Sequence, residues 1–161
     1  MTPTLSPQEF VAKWRHATLK ERSASQSHFN DLCALLGQPT PTEVDPTGRW
    51  YTFEAGAAKT DGGQGWADVW KRGHFGWENK RPGRDLKAAL KQLTDYSLEL
   101  ENPPLLVVCD LDRFEVHTNW NTETWIYYFR NADIATGEPV DVRTISGTRA
   151  ASSSARMMSM S

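Results

Sequence analysis

Asp68, Glu78 and Lys80 are the residues whose types and spacing allow a definite chemistry: an aspartate, nine intervening residues, then Glu-x-Lys. They lie in the segment Gly65-Trp66-Ala67-Asp68-Val69-Trp70-Lys71-Arg72-Gly73-His74-Phe75-Gly76-Trp77-Glu78-Asn79-Lys80. Side chains two apart on a strand point the same way, so Glu78 and Lys80 share a face. Asp68, on the preceding strand, joins that face if the hairpin loop has an odd number of residues. A three-residue loop at Arg72-Gly73-His74 pairs Asp68 with Glu78, and one at Gly73-His74-Phe75 pairs it with Lys80. A two-residue loop places Asp68 opposite Asn79, on the wrong face. Three-residue loops are common in hairpins.

Two carboxylates this close repel, and each raises the pKa of the other. A hard divalent cation resolves the conflict. Mg²⁺ prefers oxygen ligands and retains several waters, one of which can attack a bound phosphate. Asp68 and Glu78 would hold the cation together with the Asn79 carbonyl, while Lys80 orients the attacking water or neutralises charge developing on the phosphorane. The arrangement suits phosphodiester hydrolysis with Mg²⁺, or Mn²⁺ as a substitute.

Several elements must position these groups. Ser6-Pro7-Gln8-Glu9 carries a helix-start signature, and Phe10, Trp14 and Ala17 follow at helical spacing. A second helix is expected from about Lys20 to Leu36, with Phe29, Leu32, Cys33 and Leu36 on one face and Gly37 to stop it. Gln38 to Thr47 reads as a proline-rich loop. Strands are expected at Trp50–Phe53, Trp66–Arg72 and Phe75–Arg81, the last two forming the hairpin. A helix over Arg84–Glu99 presents Leu86, Ala89, Leu90, Leu93 and Leu100, and Pro103-Pro104 ends it. Leu105–Cys109 is a buried strand, followed by strands at Arg113–His117 and Trp125–Phe129. From Ser146 six serines occur in sixteen residues, which predicts a disordered tail over 146–161 beside a single domain over 1–145.

The chain's net charge is −2, but the charge is unevenly spread. Residues 49–91 hold nine Lys/Arg against five Asp/Glu, and residues 95–138 hold two against nine, so an anionic partner would meet the middle third. Lys59, Lys71, Arg72, Arg81 and Arg84 are the basic side chains best placed in sequence to contact DNA phosphates. Cys33 and Cys109 lie in apolar runs and, like the four scattered histidines, show no zinc-ligand spacing. No apolar run approaches the roughly 20 residues of a membrane span, and the first residues show no secretory signal, so a cytoplasmic location is expected.

The hairpin follows a helix and precedes a helix and a buried strand, the order seen in the PD-(D/E)xK nuclease fold. Gln92-Leu93-Thr94-Asp95-Tyr96 resembles the Gln-x-x-x-Tyr element of several lineages in that superfamily, making Gln92 and Tyr96 supporting residues. At finer level, Glu21 to Cys33, Lys59 through Ala67-Asp68-Val69-Trp70, Trp77-Glu78-Asn79-Lys80, Gln92-Leu93 and Asn102-Pro103-Pro104 resemble the amino-terminal endonuclease domain of the MmeI-like (type IIL) restriction-modification fusion enzymes. The resemblance covers about residues 8–135. It implies an α/β restriction-endonuclease-like core, a mixed central sheet flanked by helices, with Asp68, Glu78 and Lys80 catalytic and Glu21 a further acidic contributor to the metal. It also implies a defence role, with DNA and a methyltransferase or specificity region, in cis or trans, as partners. S-adenosylmethionine would be used only by the methyltransferase and recognition part of that architecture, which is expected to lie outside this chain. Two other readings remain open at this point: a catalytically silent domain binding DNA or a methyltransferase, and a truncated remnant of a fusion enzyme.

Overall fold

The computed structural model describes residues 3–15, 21–57, 65–120, 122–137, 140–144 and 149–152. Helix α1 (Pro7–Arg15) opens with a reciprocal cap, in which Glu9 N–H donates to Ser6 Oγ at 3.2 Å and Ser6 N–H donates to Glu9 Oε2 at 2.9 Å. Helix α2 (Glu21–Leu36) stops at Gly37, whose φ of 66° is the left-handed conformation that ends helices. The stretch expected to be wholly loop contains a one-turn helix, α3 (Pro41–Val44), started by a proline whose missing N–H has no partner to lose in a first turn.

Strands β1 (Tyr51–Ala55), β2 (Ala67–Lys71) and β3 (Phe75–Asn79) form an antiparallel set. Helix α4 (Lys87–Asp95) then carries the chain to β4 (Leu105–Cys109), which pairs parallel with β3. Parallel neighbours require such a crossover. After it come β5 (Arg113–Thr118), β6 (Trp125–Arg130), α5 (Asn131–Thr136), β7 (Val140–Thr144) and β8 (Arg149–Ser152). The strands make one mixed sheet in chain order, with β3–β4 its parallel pair. Strand β8 falls inside the stretch whose composition suggested a tail, where it pairs with β7; residues 153–161 lie outside the described residues.

Helix α4 begins later than its apolar pattern suggested: Leu86 takes the cap position without a side-chain bond, and the preceding Asp85 Oδ1 accepts the Lys87 N–H at 2.9 Å. Its Leu93 and Ala89 pack with Trp70, Leu100, Leu106 and Val108 on one sheet face. Helices α1, α2 and α5 cover the other, where Phe29 and Cys33 meet Val69, Phe75 and Val107, and Phe10 and Trp14 meet Phe114. No described helix is long and apolar enough to cross a membrane.

His28 of α2 is 1% exposed among the rings of Phe10, Trp14 and Phe114, and its Nε2 lies 3.2 Å from Asn131 Oδ1. Burial pushes its pKa down to about 4, against opposing pulls from Asn131, Asp31 and Asp110. Between about pH 6.5 and 4 the unfolded chain therefore binds a proton that the folded chain refuses. Stability contributed by neutral His28 is present above that window and lost as pH falls through it, by up to about 3 kcal/mol. Urea unfolding of the wild type and His28→Gln between pH 4 and 7 is expected to show the difference between them growing with pH across this window; a constant difference would refute the assignment.

Candidate active site

The three-residue loop Arg72-Gly73-His74 joins β2 to β3, with Gly73 at φ 71° and Lys71 paired with Phe75. The register continues through Trp70–Gly76 and Val69–Trp77, so the next pair along sets Asp68 beside Glu78. The two side chains interlock with the backbone. Asp68 N–H donates to Glu78 Oε2 at 3.2 Å, and Asn79 N–H donates to Asp68 Oδ2 at 2.7 Å. Glu78 is buried, whereas Asp68 and Lys80 are half-buried. Lys80 N–H is tied to the Cys109 carbonyl at 2.8 Å, extending the β3–β4 pairing by one residue.

Burial and the neighbouring Asp68 push the Glu78 carboxyl up to about 8, while Lys80, the Asp68 amide and the Gln92 side chain oppose the shift. Gln92 is thus a direct neighbour of Glu78. Its Nε2 also donates to the Gly65 carbonyl at 3.2 Å, so one amide spans two elements around the carboxylate. Tyr96, one turn on, caps α4 with its backbone N–H and packs against the apolar cluster beneath it. Asn79 turns its side chain to the opposite face, where Oδ1 accepts the Trp77 indole N–H at 3.1 Å. Only its backbone is on offer to the carboxylate side.

The residues expected to meet DNA divide into two places. Lys71 and Arg72 are at the hairpin turn, the opposite end of β2 from Asp68. There Lys71 stacks over Tyr51, and Arg72 engages Glu101 at 2.7 Å and the Arg49 carbonyl at 3.0 Å. Arg81 and Arg84 instead follow Lys80 directly, exposed on a loop that closes with Arg84 N–H on the Arg81 carbonyl. Buried Asp110 anchors this loop: its Oδ2 accepts the Gly83 N–H at 3.2 Å and Arg113 Nε at 2.7 Å, while Arg113 Nη2 holds the Arg84 carbonyl at 2.8 Å. Asp110 carries no motif signal; only its position two residues before Asp112-Arg113 at a tight turn could have suggested a capping role. Lys59 and the Glu21 side chain lie outside the described residues. Helix α2, which Glu21 begins, covers the sheet face opposite Gln92, and its Ala24 reaches the cluster containing Cys109 at the Lys80 end.

Among the described residues, no group of three or more His, Cys, Asp and Glu side chains could hold a metal ion by itself. The donor set nevertheless fits a hard cation that keeps its own waters: two carboxylates, one of them strained towards protonation by burial, and no soft ligand. A divalent charge would relieve the Asp68–Glu78 repulsion that the protein alone leaves standing.

The fold and this cluster define an α/β sheet domain with a carboxylate pair and a lysine at the carboxyl ends of its two parallel strands, where sheet proteins commonly hold ligands. A family model described as MmeI, N-terminal domain, matches residues 5–151, and the chain belongs to that family. Neither the curated proteins nor the solved structures gave a match. Family membership ties the domain to restriction-modification.

Proposed function

We propose that this domain is a DNA endonuclease module of the PD-(D/E)xK type, hydrolysing phosphodiester bonds with Mg²⁺ or Mn²⁺. The observation that carries the reading is the register that sets Asp68 beside Glu78, with Lys80 two residues on along the same strand face. Asp68 and Glu78 would hold the cation, with the Asn79 carbonyl as a further oxygen. When bound, it would polarise the scissile phosphate and lower the pKa of a water.

The chain's own residues do the rest. The Asn79 amide fixes Asp68 Oδ2, and the Asp68 amide fixes Glu78 Oε2, so neither carboxylate must reorganise during reaction. Lys80 Nζ holds the attacking water or the charge that develops on the phosphate oxygens. Arg81 and Arg84, on a loop anchored by Asp110, take the flanking phosphates; Lys71 and Arg72, at the far end of the hairpin, would meet only a longer duplex. Recognition of DNA sequence and any use of S-adenosylmethionine fall to a methyltransferase or specificity region acting in cis or trans.

Incubation of supercoiled plasmid with purified protein and Mg²⁺, Mn²⁺ or EDTA tests the reading. Cation-dependent nicking that Asp68→Ala lowers by at least about a hundredfold is expected. Full cleavage by folded Asp68→Ala would defeat the assignment.

A further inference from the structure

Glu54 is a non-glycine residue at φ 51° inside β1, a conformation that L side chains adopt reluctantly. Its place in the sheet is informative. The β1–β2 ladder pairs Phe53 with Val69 and Ala55 with Ala67, and the position it skips between them is Glu54 opposite Asp68. Phe53 packs with Phe29 and Val69 on the α2 side, whereas Ala55 and Ala67 join the cluster under α4.

Two consequences converge on Glu78. At the pair the ladder skips, the Asp68 amide is aimed at Glu78 Oε2. The ends of β1 and β2 then close on each other beneath α4: a Cβ on Gly65 would lie 2.7 Å from the Ala55 carbonyl oxygen, and one on Gly56, at φ 78°, would lie 2.4 Å from the Trp66 ring. This pinch fixes the Gly65 carbonyl that receives Gln92, and Gln92 in turn bonds Glu78.

We infer that Glu54 is a positioning residue, whose left-handed backbone, rather than its carboxylate, aims the Asp68 amide and the Gln92 amide at Glu78 and so sets the geometry of the acidic pair. The inference rests on the metal-nuclease reading for its purpose, but not for its geometry. Glycine adopts this conformation without strain, and a β-branched residue resists it and favours a regular ladder.

Glu54→Gly is expected to keep Mn²⁺ affinity within about twofold of wild type, whereas Glu54→Val is expected to lose at least about tenfold, both measured well below their unfolding temperatures. Glu54→Ala, intermediate in strain, serves if the valine variant does not fold. The Asp68 amide proton resonance supplies a readout that needs no cation. A bond to a carboxylate shifts it, and Glu78→Gln marks where it lies once that carboxylate is gone. The resonance should stay at its wild-type position in Glu54→Gly and move in Glu54→Val. An unmoved Asp68 amide in Glu54→Val overturns the inference, as does equal loss of Mn²⁺ affinity in Glu54→Gly. Absence of Mn²⁺ binding by the wild type, with the amide behaving as expected, counts against the nuclease reading alone.

Discussion

Lys80→Met is expected to cleave DNA at least about a hundredfold more slowly than the wild type while still binding a divalent cation. Methionine keeps the length of the side chain and removes only its charge and donors. Lys80 contributes no oxygen to a cation, and its positive charge opposes one nearby, so its loss leaves the Asp68–Glu78 pair competent to bind. Its effect falls instead on the attacking water and on charge that develops in the transition state. Parallel assays of plasmid nicking and Mn²⁺ binding separate the two. Loss of binding together with cleavage would show that Lys80 serves the cation site and not the chemistry.

Glu78→Gln should have opposite effects on stability and function. Burial and Asp68 raise the Glu78 carboxyl to about 8, so the folded chain holds a proton there that the unfolded chain releases near the ordinary 4.5. The stability associated with that proton is complete below about pH 4.5 and is lost as pH rises through about 8. Glutamine removes the penalty and should stabilise the cation-free protein at pH 8 by up to about 4 kcal/mol, or roughly 8–16 °C in Tm for a chain of this size. The same substitution should abolish cleavage and the stabilisation that Mg²⁺ gives the wild type. Thermal melts at pH 6 and 8, with Mg²⁺ or EDTA, check both halves. A Glu78→Gln protein less stable than wild type at pH 8 in EDTA would contradict the electrostatic account.

Much of this architecture is legible in local signals. The Ser6–Glu9 cap, the stop at Gly37 and the apolar stripe of α4 all point to the elements that form, and the spacing of Asp68 and Glu78 leaves few hairpin loops that bring them together. The loop that forms, Arg72-Gly73-His74, is one of those few. What escapes the sequence is set by distant contacts. Strands β7 and β8 draw on composition that is poor in apolar residues and depend on pairing with β6 and with each other. Helix α5 is one and a half turns long, and its start is fixed by Arg130 N–H on Asp133 Oδ2 at 2.6 Å, too little pattern for periodicity to find.

The site shows the same division. The positions of Asp68, Glu78 and Lys80 follow from alternation along two strands. The shell around them does not: a glutamate is a poor predictor of a left-handed backbone, so nothing at Glu54 announces the pair that the β1–β2 ladder skips. Gln92 is visible as part of a helical motif, but its span from Gly65 to Glu78 depends on a close approach between two glycine-containing segments. Basic residues are the least legible, because charge near the site in sequence places Arg72 at the far end of a hairpin and Arg84 beside Lys80.

Titration of the cation-free protein with Mn²⁺, followed by calorimetry at pH 8 for the wild type and Asp68→Ala, tests whether Asp68 and Glu78 form a cation site. Binding by the wild type is expected, with protons released as Glu78 ionises, and its loss in a folded Asp68→Ala protein. Binding that is indifferent to Asp68, or no binding by the wild type, would contradict it.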